Sequence, residues 1–386
     1  MTRVVDLPDP LPDGGRFLHI GLPKTGTTAL QGALADARDR LESLGAHNVS
    51  RDRHEMRVGQ VAAGGLPAFW GSDWDDRWAE LAAEYRSSPA RCTFWSSESL
   101  SHATGQRVSY LAETLGADSR IVVTLRPLAP LLVSQWQQWL RRRGTRSLED
   151  WARDQFAAVT AAGEVTVTGR RFMPTLQRFD LGRIVREWGA AFGESNVILV
   201  APSADRARNF RVFEALMGVP EVLRPADEAN ESLPYPEAEA LRRFNLAYTE
   251  GGGDHPTWMR AMNVLARKPL RELARDAERH PIRAPRWIAE QANEHASRWL
   301  DEIASSNATV VGDLSALLVD PLDFAEEVPV PTEVSTGSAG RLMDIAFAAG
   351  LAEGRRTAAR PDDDGTPDVP TLGARVRRHL PGRGRR

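Results

Sequence analysis

The chain has 386 residues, of which 42% are hydrophobic and 26% charged, and its formal net charge is −3. These values are typical of a globular protein with an ample hydrophobic core, and a charge so near zero excludes a general attraction to nucleic acid or to anionic membranes. The single cysteine, Cys92, excludes an internal disulfide framework and suits a reducing compartment.

The N-terminal residues 1–15 are rich in proline and acidic side chains, and they lack the apolar core of a signal peptide. The most apolar stretch, Ile121 to Val133, is interrupted by Arg126 and two prolines, so no segment is long and apolar enough to cross a membrane. We therefore expect an extended lead-in over residues 1–15 and a cytoplasmic protein without a membrane segment.

The next stretch, residues 16–31, has the sequence RFLHIGLPKTGTTALQ and predicts a short apolar strand, a tight turn and a helix that begins near Thr27. A helix N-terminus after such a turn binds anions, because its free N–H groups and positive dipole end face the loop. Gly21 and Gly26 let the backbone approach a ligand closely. The threonine hydroxyls and the ammonium group of Lys24 add further donors.

This loop differs from the nucleoside-triphosphate P-loop, G-x-x-x-x-G-K-[ST]. Gly21 and Gly26 have the required spacing, but Thr27 occupies the lysine position and the lysine lies earlier, at Lys24. The string PKTGTT, between a strand and an amphipathic helix, resembles the 5′-phosphosulfate loop of sulfotransferases that use 3′-phosphoadenosine 5′-phosphosulfate (PAPS) and need no metal. The resemblance implies PAPS as the cofactor, no metal site, and these cofactor-binding residues: Pro23, Lys24, Thr25, Gly26, Thr27 and Thr28.

After the loop, helices and strands alternate along the chain. The spacing of apolar residues predicts helices over 28–44, 75–86, 106–115, about 127–143, 148–159, 174–192 and 206–217. Apolar runs predict strands at 91–97, 120–125 and 196–201, whereas residues 46–74 are irregular. Strands separated by helices of this length predict the α/β class, with a P-loop-type parallel sheet that helices flank on both faces.

The C-terminal third is predicted to be helical. Helices over 237–249, 258–275 and 287–305 are expected to form a cap, about 234–310, over the ligand-binding edge of the sheet. The cap would belong to one sulfotransferase-like domain over 16–325, followed by a linker and terminal helix over 326–359. Residues 360–386 form a basic tail rich in proline and glycine, which predicts disorder without an expected nucleic-acid partner.

A second anion site should lie on a neighbouring strand, since PAPS also carries a 3′-phosphate. Arg126 falls at the C-terminal end of the strand over 120–125, at the same sheet edge as Lys24, and a guanidinium can clamp a phosphate through two hydrogen bonds. Ser134 comes eight residues later, at the start of the following helix. Sulfotransferases have an arginine and a serine at this separation, so the resemblance implies Arg126 and Ser134 as 3′-phosphate ligands.

Sulfuryl transfer to an alcohol needs a base for the acceptor proton and a cation that stabilises the leaving phosphate. Lys24 suits the second task. Glu98 directly follows the strand over 91–97, and His102 comes four residues later. Carbohydrate sulfotransferases commonly use a glutamate after this strand, and the cytosolic small-molecule group uses a histidine. We prefer Glu98 because it comes directly off the strand; a structural role in the first turn of a helix is its alternative.

The sequence thus favours a PAPS-dependent sulfotransferase that acts on a hydroxyl or amine of a small-molecule or glycan acceptor, such as a carbohydrate or secondary metabolite. The alternatives are a P-loop kinase and a non-catalytic nucleotide-binding scaffold. The RKGxxGDWK loop of the eukaryotic cytosolic enzymes has no match here, and the sequence NESLP, residues 230–234, lies in roughly that region. The acceptor, the oligomeric state, the role of the tail and the aromatic side chain that stacks on adenine cannot be assigned.

Overall fold

A parallel sheet lies at the centre of the larger of two compact units. The structure is a computed structural model, and it describes residues 2–65, 73–160, 175–205, 207–224, 232–262, 267–276 and 280–358. Within those residues the strands are β1 (Arg3–Val5), β2 (Gly15–His19), β3 (Ala46–Asn48), β4 (Cys92–Ser96), β5 (Arg120–Thr124), β6 (Val197–Val200) and β7 (Thr309–Val311). Their order across the sheet is β1-β7-β6-β5-β2-β4-β3, and every neighbouring pair is parallel.

Helices connect and cover these strands. In the described residues they are α1 (Thr27–Asp36), α2 (Arg38–Ser43), α3 (Met56–Ala62), α4 (Asp73–Ser87), α5 (Gln106–Leu115), α6 (Leu128–Leu140), α7 (Leu148–Thr160), α8 (Thr175–Phe179), α9 (Leu181–Phe192), α10 (Arg208–Met217), α11 (Tyr235–Glu250), α12 (His255–Arg260), α13 (Arg267–Asp276), α14 (Arg286–Ala304) and α15 (Thr336–Ala358). Short 3-10 helices are formed by Glu98–His102, Glu194–Asn196, Leu314–Leu317 and Pro321–Asp323.

Both faces of the sheet are covered, which explains why its strands are short apolar runs. β5 (RIVVT) and β6 (VILV) are buried almost throughout, as expected for parallel strands. On one face the rings of Phe17 and Phe94 stack with centroids 5.1 Å apart, in a core shared with α1 and α10. On the opposite face Trp95 packs against Trp78 of α4, with ring centroids 5.6 Å apart. The predicted α/β class is therefore confirmed.

The order of the strands determines where a ligand can bind. The chain passes from β2 outward through α1 to β3 and β4 on one side, and then returns to place β5 on the other side of β2. β2 is therefore the point at which the direction of winding changes. In open parallel sheets the crevice at the C-terminal ends of the strands beside such a point is the usual binding site.

The chain divides into two compact units. The sheet unit consists of Met1–Gln135, Leu148–Asn230 and Arg283–Val328, and the helical unit consists of Trp136–Ser147, Glu231–Ile282 and Pro329–Arg386. In the helical unit, the fully buried Asn245 donates to the carbonyls of Leu140 and Gly144 at 2.8 and 2.6 Å. The indole of Trp258 donates to the carbonyl of Arg141 at 3.2 Å. The segment that follows α6 is thereby held by α11 and α12.

Several elements differ from the predicted ones. The lead-in contains β1, which pairs with β7, and the irregular region 46–74 contains β3. The helix predicted over 28–44 is divided between α1 and α2 at Ala37, and the helix over 174–192 is divided at Asp180, whose side chain caps α9 by accepting from the Arg183 amide at 3.0 Å. In place of one helix over 258–275, the described residues form α12 and α13.

The domain boundaries predicted from the sequence do not coincide with the boundaries of the two compact units. α14 lies in the sheet unit, although the predicted cap of about 234–310 included it. The terminal helix, predicted within residues 326–359, is α15 and lies in the helical unit. The cap over the ligand-binding edge remains a prediction. The tail over 360–386 and the first two residues of NESLP lie outside the described residues.

Candidate functional site

The loop between β2 and α1, residues 20–26, is fastened to the neighbouring strand β5. The amide of Leu22 donates to the carbonyl of Thr124 at 3.0 Å, and the amide of Thr124 donates to the carbonyl of Gly21 at 2.6 Å. The Thr25 hydroxyl donates to the Leu22 carbonyl at 2.6 Å and lies 2.7 Å from the Thr124 hydroxyl. These bonds hold the loop at the C-terminal edge of the sheet.

The loop presents amide groups at the start of α1. Gly21, Lys24 and Gly26 have φ values of 104°, 69° and 93°, and left-handed residues within a turn are typical of backbone concavities that bind anions. In the described chain, the amides of Gly26, Thr27 and Thr28 donate to no acceptor. They are the first N–H groups of α1 and lie at its positive dipole end. The loop therefore has the donors of an anion site.

Glu98 reaches this loop from the adjacent strand. It is half-buried and begins the 3-10 helix that follows β4. Its carboxylate accepts a hydrogen bond from the Thr27 hydroxyl. A Cβ placed on Gly21 would lie 3.2 Å from the Cβ of Glu98, so the two residues are in close contact. One turn further along α1, the Gln31 amide donates to the Ser96 carbonyl at 3.2 Å. Two side chains thus hold α1 to the end of β4.

Arg126 reaches the loop from the opposite side. It follows β5 by two residues, is exposed, and donates from Nη1 to the carbonyl of Lys24 at 3.0 Å. Lys24 is itself half-buried. The Arg126 guanidinium thus contacts the backbone of the loop from the side of β5, whereas Glu98 contacts it from the side of β4.

The other predicted loop residues divide by exposure. Pro23 and Thr27 are buried, and Thr28 is exposed at the start of α1. His102 is half-buried and ends the 3-10 helix that Glu98 begins. Because a 3-10 helix turns by about 120° per residue, the side chains of Glu98 and His102 point in different directions. The described contacts place Glu98 on the loop.

The position of Ser134 differs from the sequence-based prediction, which placed it at the start of a helix. α6 begins at Leu128, so Ser134 is the seventh residue of that helix, almost two turns along it. The start of α6 agrees with the predicted helix over about 127–143, since Pro127 and Pro130 lie at its first turn, where the missing proline N–H is tolerated. Ser134 is half-buried, and its hydroxyl forms no hydrogen bond with described residues, Arg126 included.

A buried polar network beside the loop was missed by sequence reasoning. His19 ends β2 and is fully buried, with Nδ1 2.8 Å from the Ser96 hydroxyl and Nε2 3.1 Å from the Thr124 hydroxyl. Burial lowers the pKa of His19 to about 3, and a hydrogen bond with the Gly21 backbone opposes part of that shift. The available signal was a single polar residue in an apolar strand, directly before the loop.

A second missed residue, Arg183 of α9, holds the 3-10 helix on which Glu98 and His102 lie. Arg183 is buried and donates to the carbonyls of Ser101 and Ala103, each at 3.3 Å. It also pairs with Glu187 at 2.8 Å. The backbone that follows Glu98 is thus attached to a helix of the sheet unit rather than left as a loose connection.

The described residues contain neither a cluster of metal-binding side chains nor a membrane-spanning helix. No group of three or more histidine, cysteine, aspartate or glutamate side chains there is arranged to hold a metal ion. None of the helices in the described ranges is both long enough and apolar enough to span a bilayer.

No protein family model matches the chain, and no curated protein matches it either. Among solved structures, the chain is similar to a crystal structure of a sulfotransferase from Alicyclobacillus acidocaldarius. The two are 16% identical with a TM-score of 0.40, and the match covers 64% of this chain and 98% of that one. A likeness of this degree carries no argument about what this chain binds or does.

Proposed function

We propose that the protein is a PAPS-dependent sulfotransferase. The observation that carries the proposal is the position of Glu98, whose carboxylate is bonded to Thr27 and whose Cβ lies against Gly21 of the anion loop. A base for the acceptor proton must lie beside the group that is transferred. Glu98 has that position relative to the loop, and it comes from the strand that the resemblance indicates.

The donors around the loop fit a phosphosulfate. The amides of Gly26, Thr27 and Thr28 are available within the described chain, and a Cβ placed on Gly26 would meet nothing within 4 Å, so the space beside the loop is open. Lys24, within the loop, and Arg126, which is bonded to the loop backbone, supply cations. In this proposal the loop and Lys24 hold the 5′-phosphosulfate, and Arg126, with Ser134, holds the 3′-phosphate. The fit supports PAPS over a ligand without negative charge.

PAPS, when bound, supplies the sulfuryl group. Glu98 accepts the proton of the attacking hydroxyl or amine of the acceptor, and His102 is the alternative base. Lys24 and the loop amides would hold the 5′-phosphosulfate and would stabilise the negative charge of the leaving phosphate. Thr27 orients the Glu98 carboxylate through its hydrogen bond. A small-molecule or glycan acceptor and a cytoplasmic location are part of the same proposal.

Thermal unfolding in the presence of adenosine 3′,5′-bisphosphate, compared with ATP and Mg²⁺, tests the cofactor assignment. A ligand that binds only the folded state raises the free energy of unfolding, by about 2.7 kcal/mol at a concentration of one hundred times its Kd. The melting temperature rises as a result. We expect a rise with the bisphosphate in the absence of metal, and its loss in Arg126→Ala. Arg40→Ala, a change of an exposed arginine on α2, is the matched control and should leave the rise intact.

The other outcomes separate the alternatives. A rise with ATP and Mg²⁺ alone would contradict the sulfotransferase proposal and favour a P-loop kinase. A rise with the bisphosphate, without turnover of any acceptor in a broad panel, would favour a nucleotide-binding scaffold. Loss of the rise in both Arg126→Ala and Arg40→Ala would show that the assay reports general stability rather than a ligand at the loop.

A further inference from the structure

The imidazole of His19 bridges the ends of three adjacent strands. His19 is the last residue of β2, and its two ring nitrogens lie 2.8 Å from Ser96 Oγ at the end of β4 and 3.1 Å from Thr124 Oγ1 at the end of β5. The ring of Phe213 on α10 contacts it edge-on, with centroids 4.9 Å apart. His19 is therefore fixed on all sides.

The hydroxyl hydrogens near Thr124 assign the tautomer of this imidazole. Thr124 Oγ1 lies 3.1 Å from the Gly21 carbonyl and 2.7 Å from Thr25 Oγ1, which lies 2.6 Å from the Leu22 carbonyl. The Thr124 hydroxyl donates its hydrogen to the Gly21 carbonyl, and the single Thr25 hydrogen serves either the Leu22 carbonyl or Thr124 Oγ1, so neither hydrogen is directed at His19. Nε2 of His19 must then carry a proton and donate it to Thr124, and Nδ1 is an acceptor.

The low pKa of His19, about 3, keeps the ring neutral at the pH of ordinary assays, so this single tautomer persists. Nδ1 accepts from the Ser96 hydroxyl. Hydrogen bonds thus run from Ser96 through His19 to Thr124, and the Thr124 hydroxyl in turn contacts the Gly21 carbonyl and Thr25 Oγ1 of the anion loop.

We propose that His19 is a positioning residue for the anion site. Each of the three strands that it joins leads into one part of that site: β2 into the loop with Lys24, β4 into Glu98 and β5 into Arg126. Because one rigid ring holds all three strand ends, it sets the spacing of ammonium, carboxylate and guanidinium without touching a ligand. The inference rests on the proposed function for the identity of the ligand. The effect of His19 on the position of the loop can be measured without any ligand.

Two substitutions of His19 distinguish the contact that Nε2 makes with Thr124 from the contact that Nδ1 makes with Ser96. In His19→Gln the amide nitrogen reaches about as far as Nε2 and keeps the donation to Thr124, whereas His19→Asn keeps only an acceptor near the position of Nδ1. Titration calorimetry with adenosine 3′,5′-bisphosphate should show His19→Gln within about threefold of the unchanged protein and His19→Asn weaker by about tenfold or more. Equal affinities for the two variants would overturn the proposal.

A measurement without ligand separates this proposal from the function assigned to the site. The imidazole ¹⁵N spectrum should show the Nε2–H tautomer, and the amide signals of Gly26 and Thr28 should move in His19→Asn but not in His19→Gln. An Nδ1–H tautomer, or loop signals that stay in place in His19→Asn, would refute the positioning role. If the unchanged protein does not bind the bisphosphate, the proposed function fails, and these signals still decide the role of His19.

A milder pair of variants covers the case in which changes of His19 prevent folding. Ser96→Ala removes the same ring contact that His19→Gln loses, so it should weaken bisphosphate binding measurably but by no more than about threefold. Ser119→Ala is the matched control. Ser119 is also buried and is hydrogen-bonded to an aromatic side chain, Tyr85, at 3.1 Å, but it precedes β5 at the opposite edge of the sheet. Equal effects of the two variants would contradict the proposal.

Discussion

Gly21 allows the closest approach between the anion loop and the strand that leads to Glu98. Its φ is 104°, and a Cβ at this position would lie 3.2 and 3.3 Å from the Cβ and Cα of Glu98. Contacts this short require Glu98 to move by a few tenths of an ångström. The absence of a side chain at residue 21 thus sets how near the carboxylate lies to the start of α1.

We expect Gly21→Ala to destabilise the protein and to weaken bisphosphate binding, because the new methyl group displaces Glu98. The positive φ alone should cost about 1–2 kcal/mol. Gly14→Ala provides the control: Gly14 has a φ of 77°, but a Cβ there would meet nothing within 4 Å. Urea unfolding and calorimetry of both variants separate the cost of the positive φ from that of the contacts, which are with the Pro23 nitrogen at 3.1 Å and with Glu98. Binding that is equally weak in both would mean that the contact has no role.

Lys24 carries its charge at a backbone conformation that favours glycine, with a φ of 69°. Both Lys24→Gly and Lys24→Ala remove the ammonium, but only glycine relieves the left-handed strain. We expect both variants to lose bisphosphate affinity, and we expect Lys24→Gly to be more stable than Lys24→Ala by about 1 kcal/mol. Urea unfolding measures the difference. Full affinity in either variant would contradict the role proposed for the ammonium.

At this scale the sequence indicated the loop but not the residues that hold it. Glycine spacing, Lys24 and the polar residues after the strand over 91–97 could be recognised because they are adjacent in sequence. The contacts of His19 with Ser96 and Thr124 depend on which strands are neighbours and in what register, and a single sequence does not contain that information.

Among the elements, the 3-10 helix Glu98–His102 depends on α9 for its position. Arg183 supplies donors to the carbonyls of Ser101 and Ala103 and also to that of Gln177, at 3.1 Å. Buried carbonyls that lose a partner carry a desolvation cost of about 1–3 kcal/mol each. The position of Glu98, the proposed base, therefore depends on α9 as well as on the loop.

We expect Arg183→Met to lower the free energy of unfolding by about 3 kcal/mol, because several buried carbonyls and the Glu187 carboxylate lose their donor. Arg186→Met on the same helix is the control, since Arg186 is exposed and its ion pair with Glu302 lies at the surface. Surface pairs contribute at most about 1 kcal/mol. Guanidinium unfolding of both variants checks the prediction, and a smaller loss in Arg183→Met than in Arg186→Met would refute it.

The long elements were predictable, and the short ones were not. α5 coincides with the predicted helix over 106–115, and β5 and β6 lie within the predicted strands over 120–125 and 196–201, because their apolar patterns extend over several residues. β1, β3 and β7 have three residues each, too few for a recognisable period. They are strands because they pair with strands already in the sheet.

The burial of His19 makes the free energy of unfolding of the whole molecule depend on pH. Its pKa falls from 6.5 to about 3 on burial, so the unfolded chain binds a proton between these values and the folded chain does not. This contribution to stability is complete above about pH 6.5 and is lost as the pH falls toward 3. Between pH 7 and pH 5 the expected loss is about 2 kcal/mol.

His19→Gln has no titrating group at this position, so its stability should fall by about 2 kcal/mol less than that of the unchanged protein over the same interval. Urea unfolding at pH 7, 6 and 5 measures both proteins. All other titrating groups, including His295, are common to the two and cancel in the difference. Parallel pH profiles would mean that His19 is not buried in a neutral form.

The pairing of β1 with β7 determines when β1 can join the sheet during synthesis of the chain. Val4 pairs with Val310, and the Thr2 hydroxyl donates to the Ile303 carbonyl at 2.7 Å. During synthesis, β2, β4 and β5 can assemble as soon as residue 124 has emerged, whereas β1 must wait for β7. An unpaired strand edge invites pairing with another chain, and nearby prolines and charged side chains hinder it. We therefore expect the acidic, proline-rich residues after β1 to hinder such pairing until β7, about 300 residues later, has been made.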